Sequence, residues 1–235
     1  MKLAQPSLGA IGPMSRRNTR QPPGIVDLSP WLSLLELIHQ LRTKGDSDMN
    51  DTRTAASLPG YVGGRWNIDP VHSEVGFTVR HMMVSKVRGK FTKYEAELVT
   101  ADNPLESSVT ASIDLNSIDT GNPDRDNHLR SADFFEVETY PTMTYRSTGI
   151  RPNGDRFILD GELTLKGVTR PVSLDLELGG FGPDPYGGTR AGFTATGEIQ
   201  RSDFHVDFNA ALEAGGVVVS DKVNLHLEIE AVLAS

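Results

Sequence analysis

Cysteine is absent from the 235 residues. That excludes disulfides, thiolate nucleophiles and zinc–thiolate centres, and leaves the redox setting open. No run of about 18 apolar residues occurs, so no transmembrane helix is expected. Positive charge is short as well. The 23 Lys and Arg face 31 Asp and Glu, a formal net charge of −8, which argues against gripping nucleic acid or an anionic membrane chiefly by charge. Aromatic residues are sparse at 7% and glycines number 23, a balance expected of a turn-rich chain. Its length suffices to bury a sizeable core.

The charge is unevenly spread. Residues 1–60 carry 7 basic and 5 acidic side chains and six of the fourteen prolines. They show no period-two alternation and read as a largely disordered extension. Within it Trp31, Leu34, Leu35, Ile38 and Leu41 share one helical face, so a short helix is expected over 31–42. Ser15-Arg16-Arg17 resembles a twin-arginine export signal, but no smooth apolar run or small-residue cleavage site follows. The expected location is therefore the cytoplasm, with export not excluded, and Met49 offers an alternative start. Residues 61–235 form a second domain of different character.

There the sequence alternates apolar and polar residues, the mark of strands with one buried face. Val75, Phe77, Val79, His81 and Met83 make one such row, and Val109, Ala111, Ile113 and Leu115 another. Four more rows run over 157–165, 172–178, 191–199 and 223–233, and Met143 and Tyr145 supply a shorter one. Val87, Gly89 and Phe91 fall out of phase with Tyr94, Ala96 and Leu98, so a bulge is expected near Thr92–Lys93. Turn signals, including Asn153-Gly154, Lys166-Gly167 and Gly215-Gly216, separate the rows. About eight long strands with mostly short connections imply an all-β fold, an antiparallel barrel. The one long connection, Ser117 to Pro141, predicts a short helical cap. Asn122-Pro123 starts it, and Asp126 and Arg130 have the spacing of an exposed ion pair.

An eight-stranded barrel is either filled by side chains or holds one small ligand. Ala111, Gly161, Ala191, Ala195 and Gly197 fall on inward faces where a packed core would favour larger residues. Phe77 and Phe193 are the residues that would fill the gap instead. A purely structural role would show as an interior without a cavity of about 300 Å³.

Five motifs then resemble a known family. They are Asp69-Pro70-Val71-His72-Ser73-Glu74-Val75-Gly76-Phe77, Arg125-Asp126-Asn127-His128-Leu129-Arg130-Ser131-Ala132-Asp133-Phe134-Phe135, Tyr140-Pro141-Thr142-Met143-Thr144-Tyr145, Gly167-Val168-Thr169-Arg170-Pro171-Val172 and Arg201-Ser202-Asp203-Phe204. In this order they are similar to the YceI-like proteins over about residues 60–234. The resemblance implies a lipocalin-like barrel whose elongated apolar pocket binds an isoprenoid lipid, an isoprenoid quinone or a polyprenyl diphosphate, without catalysis. Burying about 500 Å² of such a tail contributes on the order of 12 kcal/mol gross, of which ordering and lost translation offset a third or more.

The expected ligand-binding residues are Phe77, Val79, His81, Met83, Phe91, Ala111, Ile113, Met143, Tyr145, Phe193 and Ala195. Arg125, His128 and Arg130 in the cap are candidates for contact with a headgroup, or for pairing with Asp126 and Asp133. No histidine spacing matches a metal motif, and neither a phosphate loop nor a nucleophile elbow occurs, so no cofactor, metal or catalytic residue is expected. The alternative is an enzyme acting on the held lipid with His81 or His128 as acid or base. No nucleic-acid partner and no stable membrane insertion are expected, and a homodimer through free strand edges is compatible with the fold.

Overall fold

The computed structural model describes residues 58–185, 187–210 and 218–234. The helix expected over 31–42 and the Gly215-Gly216 turn lie outside them. Among the described residues eleven strands are present: β1 Gly64–Ile68, β2 Glu74–His81, β3 Ser85–Phe91, β4 Tyr94–Thr100, β5 Ser108–Asp114, β6 Ile118–Asp119, β7 Thr142–Asn153, β8 Arg156–Leu165, β9 Val168–Pro183, β10 Thr189–Gln200 and β11 Val219–Leu233. Among the described residues one α-helix, α1, spans Pro123–Arg130.

The strands form one antiparallel sheet in the order β1-β4-β5-β7-β8-β9-β10-β11-β2-β3-β6, closed by β1 against β11. Three staves are each made of two segments. β2 and β1 lie one after the other along the same edge of β11, pairing Val75 with Leu227 and Ile68 with Ala231. β3 and β4 continue each other in the same way, as do β5 and β6. The result is a closed eight-stranded barrel with one short helix between strands.

Three local readings change. At Thr92–Lys93 the chain leaves the ladder altogether, because the Thr92 and Lys93 amides bond to the carbonyl and hydroxyl of Ser117. The phase change is thus a break between β3 and β4. β2 stops at His81, and Met83 lies in the following turn with φ of 58°, 59% exposed rather than in the inward row. β7 and β9 run longer than their alternation suggests. Bulges at Ser147/Gly149 and opposite Gly192/Phe193 reset the parity.

The β8–β9 turn shows why glycine is needed there. Leu165 pairs with Val168, and both residues between them have positive φ, 50° at Lys166 and 74° at Gly167. That pattern belongs to a type I′ turn.

Asn122 caps α1 through Oδ1, which accepts the Arg125 amide at 3.1 Å, and Pro123 takes the first helical position. The exposed Asp126–Arg130 pair does not form. Asp126 is buried and accepts from the Thr120 amide at 3.0 Å and its hydroxyl at 2.5 Å. Below the cap, Leu115, Ile118 and Phe204 are at most 1% exposed and join Phe134, Val137 and Val206 in the main core cluster. Burying each such side chain is worth about 1.5–3 kcal/mol, so this end of the barrel is firmly plugged. Arg201, also buried, donates to the carbonyls of Val206 at 2.5 Å, Phe208 at 2.9 Å and Ser220 at 3.2 Å. It ties the 206–208 segment to β11.

Candidate functional site

Inside the barrel lies a cavity of about 210 Å³, lined from every stave. It reaches from Tyr61, Pro104 and Phe181 at the end away from α1 to Phe91, Ile113 and Leu163 towards the cap. Along β4 alone the lining runs from Tyr94 to Thr100, about 20 Å at the usual strand rise. So small a volume over that length is a narrow tube. It falls short of the roughly 300 Å³ that marks a ligand cavity, so by volume alone the outcome is the one expected of a purely structural role. Its length and unbroken apolar lining are what suit it to a thin chain.

Of the residues singled out from the sequence, Phe77, Phe91, Ala111, Ile113, Met143, Tyr145, Phe193 and Ala195 line this tube. Val79, His81 and Met83 do not. They belong to the far end of the β2–β3 hairpin, where the row passes beyond the cavity into the turn. The small inward residues have divided fates. Ala111 and Ala195 border the cavity. At Gly161 the space is taken by Tyr145, whose Cζ and Oη lie 2.3 Å from where a Cβ would stand. Leu174 closes over Gly197, with Cδ2 2.7 Å from a Cβ there, and Phe77 closes over Gly89. Ala191 packs with Trp66 and Ala231 in a second cluster. Glycine here makes room for a neighbour as often as for a guest.

The cap residues expected near a headgroup are committed elsewhere, and none lines the cavity. Arg125 donates through Nε to the Thr120 hydroxyl at 2.7 Å and through Nη2 to the Thr120 carbonyl at 2.8 Å. Arg130 donates to the carbonyls of Asn116 and Ile118, both at 2.9 Å, and to Asn127 Oδ1 at 3.0 Å. His128 Nε2 hydrogen-bonds Asp133 Oδ2 at 2.9 Å, and its ring meets those of Phe134 and Phe208 edge-on. The Arg125–Asp126 and Arg130–Asp133 pairings do not form either. Loop carbonyls left without strand partners draw the guanidinium groups inward.

Polar atoms reach the lining mainly at the opposite end. Tyr61 donates its hydroxyl hydrogen to the Ala101 carbonyl at 2.7 Å, and its oxygen lies 3.1 Å from Ser107 Oγ. Burial pushes the Tyr61 phenol above its ordinary value. Trp66 Nε1 donates to Thr100 Oγ1 at 2.7 Å, and that hydroxyl passes its own hydrogen to the Val62 carbonyl at 2.7 Å. Mid-barrel, the Tyr145 hydroxyl faces the carbonyls of Leu159 at 3.1 Å and Val172 at 3.3 Å, and burial pushes its phenol well above the usual range. Of the lining, Tyr61, Ile68, Ile150 and Phe181 escaped the sequence reading. Trp66 and Ile68 do alternate, but over a strand too short to stand out, and the bulges hid the other inward positions.

A charged cluster sits outside the cavity where β1, β10 and β11 meet. Arg190 Nη1 lies 2.7 Å from Asp69 Oδ2 and 2.5 Å from Glu230 Oε1, its Nε is 3.3 Å from Asp184 Oδ2, and His72 Nδ1 is 3.0 Å from Asp69 Oδ2. The ligand atoms of Asp69, His72 and Glu230 lie within 4.8 Å of one another, as a metal site requires, but the Arg190 guanidinium already supplies the cation between the two carboxylates. Hydrogen bonds from Arg190 and His72 hold the Asp69 carboxyl far below the usual range, and Asp69 holds the His72 imidazolium above its ordinary value.

The two shifts act on opposite flanks of the pH scale. The His72 contribution to stability is whole below about pH 6.5 and fades as pH rises through the folded value. The Asp69 contribution is present above about pH 4 and fades only as pH falls through its depressed value. Asp69→Asn should therefore lower the melting temperature most between those limits and less at alkaline pH. A gap between variant and parent that is constant with pH, read by calorimetry, would contradict this account.

The comparisons with known proteins agree with the geometry. A family model described as YceI-like domain matches residues 66–231. The UPF0312 protein of Staphylococcus epidermidis is 40% identical over 168 residues, covering 71% of this chain and 96% of its own. The crystal structure of the Campylobacter jejuni YceI protein superposes with a TM-score of 0.58 at 31% identity, over 66% of this chain and 90% of that one. A structure described as a polyisoprenoid binding domain from Saccharophagus degradans shares the fold, with a TM-score of 0.55 at 18% identity over 72% of this chain and 98% of its own. With a closed barrel, a continuous apolar tube and a family match over most of the barrel, the chain belongs to the YceI-like family.

Proposed function

We propose that the barrel binds and carries an isoprenoid lipid, with the tail in the tube and the headgroup at the end marked by Tyr61, Thr100 and Ser107. The observation that carries this reading is the cavity itself: long, thin and lined almost wholly by hydrocarbon and aromatic side chains. Apolar burial rather than hydrogen bonding then supplies the affinity. The polyisoprenoid binding domain from Saccharophagus degradans has the same fold, which adds support by analogy.

The lining favours an uncharged headgroup. It contains no lysine, arginine or histidine, whereas a diphosphate would call for charge-assisted donors. An isoprenoid quinone, with neutral carbonyl oxygens, suits this end better. The enzyme reading loses its acid–base candidates, because neither His81 nor His128 borders the cavity and the Tyr145 hydroxyl is held by two backbone carbonyls.

Native mass spectrometry of freshly purified protein, followed by lipid extraction, tests the proposal. The expected result is a co-purifying long-chain isoprenoid, or stoichiometric uptake of an added isoprenoid quinone with no chemical change in it. Protein that arrives empty and stays empty in the presence of excess quinone would overturn it.

A further inference from the structure

We propose that the β2–β3 hairpin docks the barrel on an anionic lipid bilayer. Its tip is Met82-Met83-Val84, with exposures of 44%, 59% and 86%. These are three consecutive large apolar side chains given to solvent. Met82 and Met83 moreover have φ of 50° and 58°, and Val84 N closes the turn on the His81 carbonyl at 3.0 Å. Successive positive φ angles favour asparagine and glycine. The β8–β9 turn obeys that preference at Gly167, and the β2–β3 turn does not. Two methionines in left-handed backbone raise the energy of the fold and bury little, so folding gives no reason for them.

The flanks of the hairpin are basic. Arg80 stands directly opposite Lys86 in the ladder, and Arg88 follows opposite Thr78. Like charges placed face to face across strands are destabilising. No side-chain hydrogen bond or ion pair neutralises Arg80, Lys86 or Arg88 among the described residues. Neighbouring lysines are matched, Lys222 with Glu198 at 2.7 Å and Lys90 with Glu74 at 3.9 Å. Cations on an open strand edge discourage pairing with another chain, and β3 meets β6 only at Lys90 and Phe91. That accounts for charge along β3 but not for an apolar tip.

Apolar side chains at a tip with unpaired cations behind them complement a bilayer surface: the tip enters the headgroup boundary and the cations meet lipid phosphates. A chain of net charge −8 would be repelled in other orientations, so the hairpin also sets which end approaches. None of Met82, Met83, Val84, Arg80, Lys86 or Arg88 lines the tube, and docking is therefore separable from lipid uptake.

Co-sedimentation of the full chain with vesicles of phosphatidylcholine, with and without phosphatidylglycerol, reads the proposal. Binding is expected only with phosphatidylglycerol, and it should fall as salt rises. Each cation removed weakens it roughly fivefold, so Lys86→Glu with Arg88→Glu should weaken it by at least about 25-fold. The pair Met82→Asn and Met83→Gly supplies the residues the turn prefers. It should raise the melting temperature while abolishing vesicle binding, which removes misfolding as an explanation. Equal binding to neutral vesicles, no binding to either, or binding untouched by both variant pairs would overturn the proposal. So would a dimer that the same variants dissociate without any vesicle binding, because the hairpin would then be a contact between two copies. Lost quinone uptake with vesicle binding intact would count against the carried lipid alone.

Discussion

Replacing Ala195 by phenylalanine should abolish binding of a long-chain isoprenoid quinone and leave a folded barrel. Ala195 sits in the middle of β10, between Leu176 of β9 and Leu227 of β11, and all three border the tube. A phenyl ring there occupies a large share of about 210 Å³ and interrupts the tube near its middle. A chain cannot pass beside it, so the loss should be at least about 100-fold, or near 3 kcal/mol. Because the ring enters vacant space, the stability change should stay at or below the about 1–3 kcal/mol typical of overpacking. Substitutions at Val79, His81 or Met83 should leave quinone affinity as it was, since none of them borders the tube. Titration by tryptophan fluorescence quenching separates these outcomes. Full binding by Ala195→Phe would mean that the tail lies somewhere else.

Gly161→Ala should be the most damaging single methyl group in the barrel. The added Cβ would stand 2.3 Å from the Tyr145 ring and 2.8 Å from the Arg146 carbonyl oxygen. Real atoms do not approach so closely, and the carbonyl belongs to the β7 ladder that β8 pairs with. The expected cost is about 3 kcal/mol, a fall of about 6–12 °C in melting temperature for a domain of this size. Adding Tyr145→Leu should restore part of that loss by removing the ring, though the backbone oxygen stays. Scanning calorimetry of the two variants checks both halves of the argument. An unchanged midpoint in Gly161→Ala would show that β7 and β8 can separate freely.

Period-two alternation carried most of the barrel, because a sheet with one buried face writes that face into every second residue. It carried the cavity wherever a strand keeps its parity, as at Ala111, Ile113 and Ala195. It failed where parity resets. Ile150 follows the β7 bulge and Phe181 follows the bulge opposite Gly192, so neither fell on an inward row. It also overran the β2–β3 turn, carrying His81 and Met83 into a site that stops short of them. Composition misread Gly161 and Gly197 as vacancies, because one residue's smallness does not reveal which neighbour leans over it. Arg125 and Arg130 resembled headgroup ligands because the loop carbonyls they satisfy leave no mark in side-chain chemistry. The Asp69–Arg190–Glu230 cluster joins positions more than a hundred residues apart, and no local pattern announces it.

The lining has one last consequence. The tube holds no histidine, the side chain whose ordinary charge change falls between about pH 5 and 8, and neither lysine nor arginine. Cargo gripped only by oily contact would be indifferent to acidity and ionic strength, and no proton could act as the trigger for unloading. Release would then follow partition: the passenger leaves when another greasy host, a membrane or a receiving protein, offers it a better solvent than the barrel does.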